Sequence, residues 1–380
     1  MKRTLWAPGL WSTLVLLANA SLAWSQSNLS TQGLGFPPGQ LSTQAQAMGG
    51  SIGEADPLSP LNPAATGLLN TAIVMFQAEP EYRELRFGTQ TQRTSVSRFP
   101  LFAGALPLGS RWALGISAST LLDRTWETTA RDSQIVNQDT IRFGRNQSSD
   151  GSIADVRLSV AFAPTSWLKV GVGAHGLSGR DVLRTELTFD DTARFTRDVQ
   201  ATTVSFGGNA VSVGAHALYR RIGAIGASYR RGGRLSVYEG NRTVGSGFAP
   251  DHYGVSVVYL GIAGTALAVR AAKDDWTRLA GTAPTLTIHN GWDLGVGADV
   301  TGPSFGGGPL SLRIGGRSRT LPFSATPTPV KEKTGGFGFA LPMARGDVQL
   351  SFGVLRASRT SDAGVSEKAW TLSTGFAIRP

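Results

Sequence analysis

Trp167-Leu168-Lys169-Val170-Gly171-Val172-Gly173-Ala174-His175 alternates without a break. Leu168, Val170, Val172 and Ala174 fall on one parity, and Lys169, Gly171, Gly173 and His175 on the other. Successive side chains of a strand point to opposite faces, so this run has one apolar face and one polar or small face. The pattern returns in Val211, Val213 and Ala215 against Ser212, Gly214 and His216, and in Leu310, Leu312 and Ile314 against Ser311, Arg313 and Gly315. It returns again in Val348, Leu350, Phe352 and Val354 against Asp347, Gln349, Ser351 and Gly353. A soluble β-sandwich also alternates. Length separates the two, because many of these runs last about ten residues, the span of a tilted transmembrane strand. Soluble strands average about five or six.

Outward from these runs, the connections alternate in length. Pro107-Leu108-Gly109-Ser110, Pro164-Thr165-Ser166, Arg220-Arg221, Gly261-Ile262-Ala263 and Pro342-Met343-Ala344-Arg345 are short turns, and 302–309 is a longer version. Residues 123–151, 179–201, 239–251, 276–285, 320–333 and 359–366 read as long polar loops. Short turns on one side and long loops on the other mark an outer-membrane barrel. Fourteen strands are expected, near 72–90, 94–106, 111–122, 152–164, 167–178, 202–219, 222–238, 252–260, 264–275, 286–300, 310–319, 334–341, 346–358 and 367–378. An even number brings both ends of the barrel to one side, as single-chain bacterial barrels require. Pro80 interrupts the first strand, where Pro is confined to edges and bulges. Trp112, Trp126, Trp167, Tyr219, Trp276 and Trp370 fall near strand ends and fit interfacial girdles. The fold class is all-β, a 14-stranded antiparallel transmembrane β-barrel over residues 71–380.

Two segments precede the strands. Lys2 and Arg3, the apolar run around Leu14-Val15-Leu16-Leu17, and small-x-small sites ending at Ala20 and Ala23 read as a signal peptide over residues 1–23. The apolar run is shorter than the ~20 residues of a spanning helix. Next, Ala47 to Thr66 (AMGGSIGEADPLSPLNPAAT) is too rich in Gly and Pro for a strand or a helix. Met48-Gly49-Gly50 allows a tight turn or close backbone approach, and Asn62-Pro63-Ala64-Ala65 is a turn and a stop. With Gly33-Leu34-Gly35 and Pro37-Pro38-Gly39 upstream, residues 24–70 make an N-terminal domain with no core of its own. It is either held inside something larger or a surface linker.

The chain has 48 Gly, no Cys and a net charge of +10, two less once Lys2 and Arg3 leave with the signal. The lack of Cys excludes disulfides and thiolate metal sites. Export and the absence of a dense Lys/Arg run argue against a nucleic-acid partner. His175, His216, His252 and His289 show no i+2 or i+4 pairing, so no metal and no cofactor is expected. Gly171 to Gly176 matches GxGxxG but lacks the helix a nucleotide site needs, and reads as small residues making room on one strand face. A hydrolase needs a Ser–His pair with an orienting third group, and nothing in the sequence marks such a nucleophile. By parity, Glu84, Arg86, Asp155, Arg157, Arg270, Asp293, Asp299 and Arg313 lie opposite the apolar face, as do His175 and His216. A basic residue facing lipid costs about 2–4 kcal/mol at mid-bilayer, so these residues are expected to line the lumen as a paired network. Whether that network also binds a carboxylate, which Arg can hold bidentately, is left open by the sequence.

Gly33-Leu34-Gly35, Met48-Gly49-Gly50, Asp56 and Asn62-Pro63-Ala64 stand in the order of motifs in the hatch of another barrel family. On these residues the chain resembles the FadL-type outer-membrane transporters of long-chain fatty acids and other hydrophobic compounds. Leu101 to Thr120 is similar to that family's second hairpin, and Phe206 to Arg230 to the hairpin with a Gly-Ala-Leu-Tyr-like turn. Asp274-Asp275-Trp276 stands where the family often has an aromatic after an outward strand, and Lys368-Ala369-Trp370 to Phe376 resembles the closing strand. The chain departs by ending Phe376-Ala377-Ile378-Arg379-Pro380 rather than on an aromatic. It departs again in its long loops, which offer only Trp126, Ile135, Val136, Phe143, Val244 and Phe248 in place of a dense apolar cluster.

The resemblance implies a small hatch inside the barrel, with the four motifs above as gating residues. It also implies a monomer in outer-membrane lipid, inserted by the barrel-assembly machinery, and no catalysis. Hydrophobic small molecules would enter an apolar pocket from outside and pass by diffusion, sideways through a break in a strand once the hatch rearranges. The alternative is a related barrel acting as scaffold or shuttle in protein secretion, and a third reading is an outer-membrane hydrolase.

Overall fold

The structure, a computed structural model, describes residues 29–136, 139–220, 222–282, 287–305, 308–362 and 364–379. The expected signal peptide lies outside them. The strands run in chain order as β1 (Ile73–Phe87), β2 (Gln90–Leu108), β3 (Trp112–Asp123), β4 (Trp126–Val136), β5 (Asp139–Phe162) and β6 (Leu168–Phe189). Then come β7 (Asp198–Tyr219), β8 (Gly223–Glu239), β9 (Arg242–Phe248), β10 (Asp251–Ile262), β11 (Thr265–Asp275) and β12 (Thr287–Ile288). The last are β13 (Gly291–Phe305), β14 (Gly308–Thr320), β15 (Phe323–Ser324), β16 (Lys331–Met343), β17 (Val348–Thr360) and β18 (Val365–Ile378). The only α-helix among the described residues, α1 (Thr43–Ala47), is one short turn capped by the Ser42 hydroxyl.

Fourteen of these strands form one closed antiparallel ring. β18 pairs with β1 and β10 with β8, while β4 and β9 are arms that pair only with β5 and β8. Closure leaves no edge strand, which a barrel in lipid requires. Alternation then sorts the side chains. Val170, Val172, Val211, Val213, Ile225, Val255, Val269 and Ile314 point outward and are exposed, whereas His175, Ser212, Ser256, Arg270 and Arg313 on the same strands point inward and are buried. The outward set forms an apolar belt. Trp112, Trp167 and Tyr219 lie outward at the short-turn end of it, and Trp292 and Trp370 lie outward nearer the long-loop end. The molecule is a membrane-spanning barrel.

Four expectations need correction. Of the segments expected as long loops, 123–151, 179–201 and 239–251 are largely strand, since β5, β6 and β7 run on past the belt, β4 folds back on β5 from Trp126↔Ser149 to Val136↔Asp139, and β9 pairs with β8. Beyond the lipid no apolar face is needed, so these extensions lack the alternation by which strands are read. Trp276 is not in a girdle; it is 3% exposed and faces inward. Glu84 and Arg86 are not in the lumen. In β1 the odd residues from Ile73 to Leu85 are buried, and Glu84 sits on the outward face, ion-paired to Arg86 and Arg93. The parity misleads there because Leu85 points inward to pack with Leu29, Phe36 and Leu321, which reverses the usual apolar-out sense. Finally, Pro80 does not break β1, since it falls where the β1–β18 ladder has no pair, between Ala78↔Thr374 and Glu81↔Thr371.

Candidate functional site

Residues 29–69 lie against the inward face of the ring. The segment winds along the wall, and the wall offers glycine where the two meet. A Cβ added to Gly375 of β18 would meet Thr43, and one on Gly338 of β16 would meet Ala47. On Gly315 of β14 it would meet the Met48 backbone, on Gly295 of β13 the Gly49 carbonyl, and on Gly226 of β8 the Glu54 carbonyl. On Gly214 of β7 it would meet Asn62, and on Gly171 of β6 the Pro63–Ala64 peptide. Each approach is closer than 3 Å, too close for any side chain on the wall residue. Read in chain order, the contacts step round the ring in one direction. Gly49 and Gly50 have φ of +65° and +77°, the left-handed region that favours glycine, so the turn between α1 and Ser51 also depends on them.

Polar contacts fix the segment from within and to the wall. Asp56 organises it internally, accepting from the Ser42 and Ser59 hydroxyls at 2.5 and 2.6 Å and from the Leu58 amide at 3.1 Å. Asn62 caps the following turn through the Ala64 amide and donates to the Ala215 carbonyl of β7 at 3.0 Å. Glu54 is the main ionic tether. Arg270 of β11 donates to both its oxygens, at 2.8 and 3.0 Å, and Ser256 of β10 donates at 2.7 Å. Burial alone would raise the Glu54 carboxyl, but the Arg270 charge and the hydrogen bonds from His252 and Arg270 bring it down to about 2. Arg270 continues to Asp293 at 2.5 Å, and Arg317 grips Asp293 through two nitrogens at 2.7 and 2.8 Å. Phe36 sits inside a ring of guanidiniums from Arg83, Arg98, Arg319 and Arg359, whose centres lie 4.7–5.7 Å from its ring centroid.

Above the segment, toward the long-loop end, inward side chains pack into an apolar cluster around a small chamber of about 30 Å³. Leu121, Leu122, Ile153, Leu177, Phe206 and Leu235 come from strands, and Trp276, Leu279 and Phe323 from the connections after β11 and β14. Leu34 of the N-terminal segment packs against it as part of a floor. One polar group reaches it, since Arg124, held by Asp181 at 2.7 Å, lies 5.2 Å from the Phe206 ring centroid. The wall beside this chamber is broken. β2 pairs with β1 from Gln90 to Ala105 but with β3 only from Leu101↔Ser119 downward. Residues 90–98 of β2 and 120–123 of β3 form no ladder with each other. Pro100, which has no N–H to donate, stands at the start of the break, and a bulge at Leu121 turns both Leu121 and Leu122 inward. Asp123 pairs instead with Phe36 through two backbone hydrogen bonds of 2.7 and 2.9 Å. Arg98 spans the break, ion-paired to Asp123 of β3 and to Glu81 of β1.

Of the residues singled out from sequence, Gly35, Met48, Gly49, Asp56, Asn62, Pro63 and Ala64 all contact the wall or hold the segment together. Gly33 (φ +74°) and Gly50 shape turns, and Leu34 meets the chamber. Asp155, Arg157, His175, His216, Arg270, Asp293, Asp299 and Arg313 point inward. Arg270 meets Asp293, Arg313 meets Asp299 at 2.8 Å, and His175 meets Asp155 at 2.7 Å. His216 stands apart, register partner to Lys169. Sequence reading missed the chamber, the Phe36 cage, Glu54 and Arg98.

It also missed that His175 lies 2.9 Å from the Ser212 hydroxyl, completing an Asp155–His175–Ser212 line. That order of groups can activate a nucleophile. Here Ser212 is 3% exposed and packed beside Gly173, and Asp155 is also held by Gln40 and Arg230, so the line serves the wall's hydrogen bonding.

No protein-family model matches the sequence, and no curated protein matches it. Solved structures match nearly the whole chain. A FadL homologue of Pseudomonas aeruginosa superposes with a TM-score of 0.65 at 12% identity, covering 91% of this chain and 99% of that one. The Pseudomonas putida toluene transporter TodX gives 0.59 at 12%, covering 89% and 98%. The Ralstonia pickettii toluene transporter TbuX gives 0.54 at 16%, covering 93% and 99%. At such identities the likeness establishes the fold.

Proposed function

From the premise that the chain has the FadL-type barrel fold, we propose that it is an outer-membrane channel through which hydrophobic small molecules diffuse inward. The observation that carries this reading is the apolar chamber beside an unladdered stretch of wall. A hydrophobic solute gains by leaving water for Leu122, Phe206, Leu279 and Phe323, at about 25 cal/mol per Å² of apolar surface buried. The straight path down the lumen is filled by residues 29–69, which act as the hatch. The break between β2 and β3 then offers a lateral way out into the bilayer, and Phe36 and Arg98 link hatch position to both of its edges. By its chemistry the chamber suits a monoaromatic hydrocarbon or a fatty-acyl chain, and its packed side chains, Leu279 and Phe323 among them, must part to admit either, since the space between them is about 30 Å³. Arg124, the polar group at its wall, is already committed to Asp181, which favours a substrate with little charge. Movement down a gradient suffices, since nothing in the site transduces energy.

Uptake of radiolabelled toluene and of a long-chain fatty acid by a deletion strain, with and without the gene restored, tests this reading. Restoration should raise uptake of at least one, and Leu279→Asp should abolish the gain while heat-modifiable barrel migration persists. Unchanged uptake, with an exported protein co-purifying, would favour the scaffold reading instead.

A further inference from the structure

We propose that Arg157 and Ser117 form an internal site for a small monovalent anion, between the wall and residues 57–66. The two are register partners on β3 and β5, and both face inward. Partners on one face hold their Cβ atoms about 5 Å apart, so their side chains share one space. Arg157 is 5% exposed and Ser117 2%. Arg157 Nε and Nη1 and Ser117 Oγ have no hydrogen-bond partner among the described residues. Arg157 and Ser117 line one small cavity with Leu58, Pro60, Thr66, Ile73 and Ala103, and no acidic residue lines it.

No carboxylate is hydrogen-bonded to Arg157. Asp155 is two residues along the same face, but its Oδ1 lies against His175 and its Oδ2 accepts from Gln40 and Arg230. Its hydrogen-bonding capacity goes to those three groups, and Arg157 is left with none of it. Arg cannot shed its proton, and a lone buried charge is costly enough that proteins pair it or bind a counter-ion. Donors without acceptors select an anion. The cavity holds about 10 Å³, room for one atom of water or halide size. The inference stands apart from what crosses the barrel, because the site lies on the short-turn side of the segment, away from the chamber.

Purified full-length protein in sodium sulfate, titrated with sodium chloride at constant ionic strength, tests the site through the chloride NMR linewidth. Saturable broadening is expected, weakened about tenfold or more by Arg157→Met in a protein that keeps its heat-modifiable migration. No saturable effect, or one that Arg157→Met leaves intact, overturns it. Should Arg157→Met fail to fold, Ser117→Ala carries the test. A chloride midpoint raised several-fold supports the site, and an unchanged one overturns it.

Discussion

Gly315→Ala adds one methyl to the wall, and that methyl would fall on the Met48–Gly49 peptide of the N-terminal segment. Neither neighbour can give way cheaply. The obstacle is backbone, and Gly49 is already held at φ +65°. Forcing a methyl into a packed contact costs about 1–3 kcal/mol. If the barrel ladder holds, that cost falls on docking of the segment, which shifts the docked-to-undocked ratio by about 5- to 150-fold. Gly335→Ala supplies the control. Gly335 lies on β16, next to Gly336, the register partner of Gly315, but on the outward parity, and nothing lies within 4 Å of an added Cβ. Both positions have ordinary strand φ, so Ala is tolerated by the backbone itself. Limited proteolysis of the folded protein reads docking directly, and planar-bilayer conductance reads its consequence. Gly315→Ala should expose the segment to cleavage and raise conductance, with barrel migration unchanged. Equal protection of the two variants would refute the idea that glycines hold a track for the segment.

The two-face reading of β14 makes Leu312→Arg worse than Ser311→Arg by about 2–4 kcal/mol in a lipid-vesicle folding titration, because the first puts charge in hydrocarbon and the second beside Asp299; equal losses would sink it. Glu54 is held at about 2 against its usual 4.5, so its contribution is complete above about 4.5 and disappears as pH falls through 2. Protease protection of the segment should therefore match at pH 7 and pH 5.5 and decline progressively toward pH 2, and Glu54→Ala should cost docking about 3–5 kcal/mol by leaving buried Arg270 short of a partner; a decline already complete at pH 4 would contradict the tether. A fluorophosphonate probe should leave Ser212 unlabelled in the native protein, and stoichiometric labelling there would revive the hydrolase reading.

The barrel was legible because lipid imposes a rule on each residue. Val170, Val172, Val211, Val213 and Ile314 had to be apolar whatever their neighbours, so local parity sufficed to place them. Where lipid ends, the rule ends. The arms β4 and β9 and the outer reaches of β5 to β7 are strands held by backbone pairing and scattered polar and aromatic contacts, and their polar sequences read as loops. At the long-loop end of β1, Leu85 turns inward because the segment supplies apolar partners there, and with it Glu84 and Arg86 fall on the outer face.

The candidate site was less legible for a different reason: it is made of encounters between residues distant in sequence. Leu122 and Leu279 look like ordinary apolar residues until β3 bulges and the connection after β11 folds over the ring. Phe36 gains its meaning only from four arginines that come from β1, β2, β14 and β17. The glycines are the instructive case. Gly171 reads from sequence as making room, which is true of any small residue on a strand face, and Gly295 and Gly315 take the same inward place on β13 and β14. What they make room for is another stretch of backbone, and backbone contacts leave no complementary residue type in the partner. A Val facing lipid announces its neighbour by being apolar, whereas a Gly facing a peptide announces only that the neighbour is close. The wall and the segment therefore share a surface whose specificity lies in shape, and substitution at the glycines, rather than inspection of the segment, is the way to expose it.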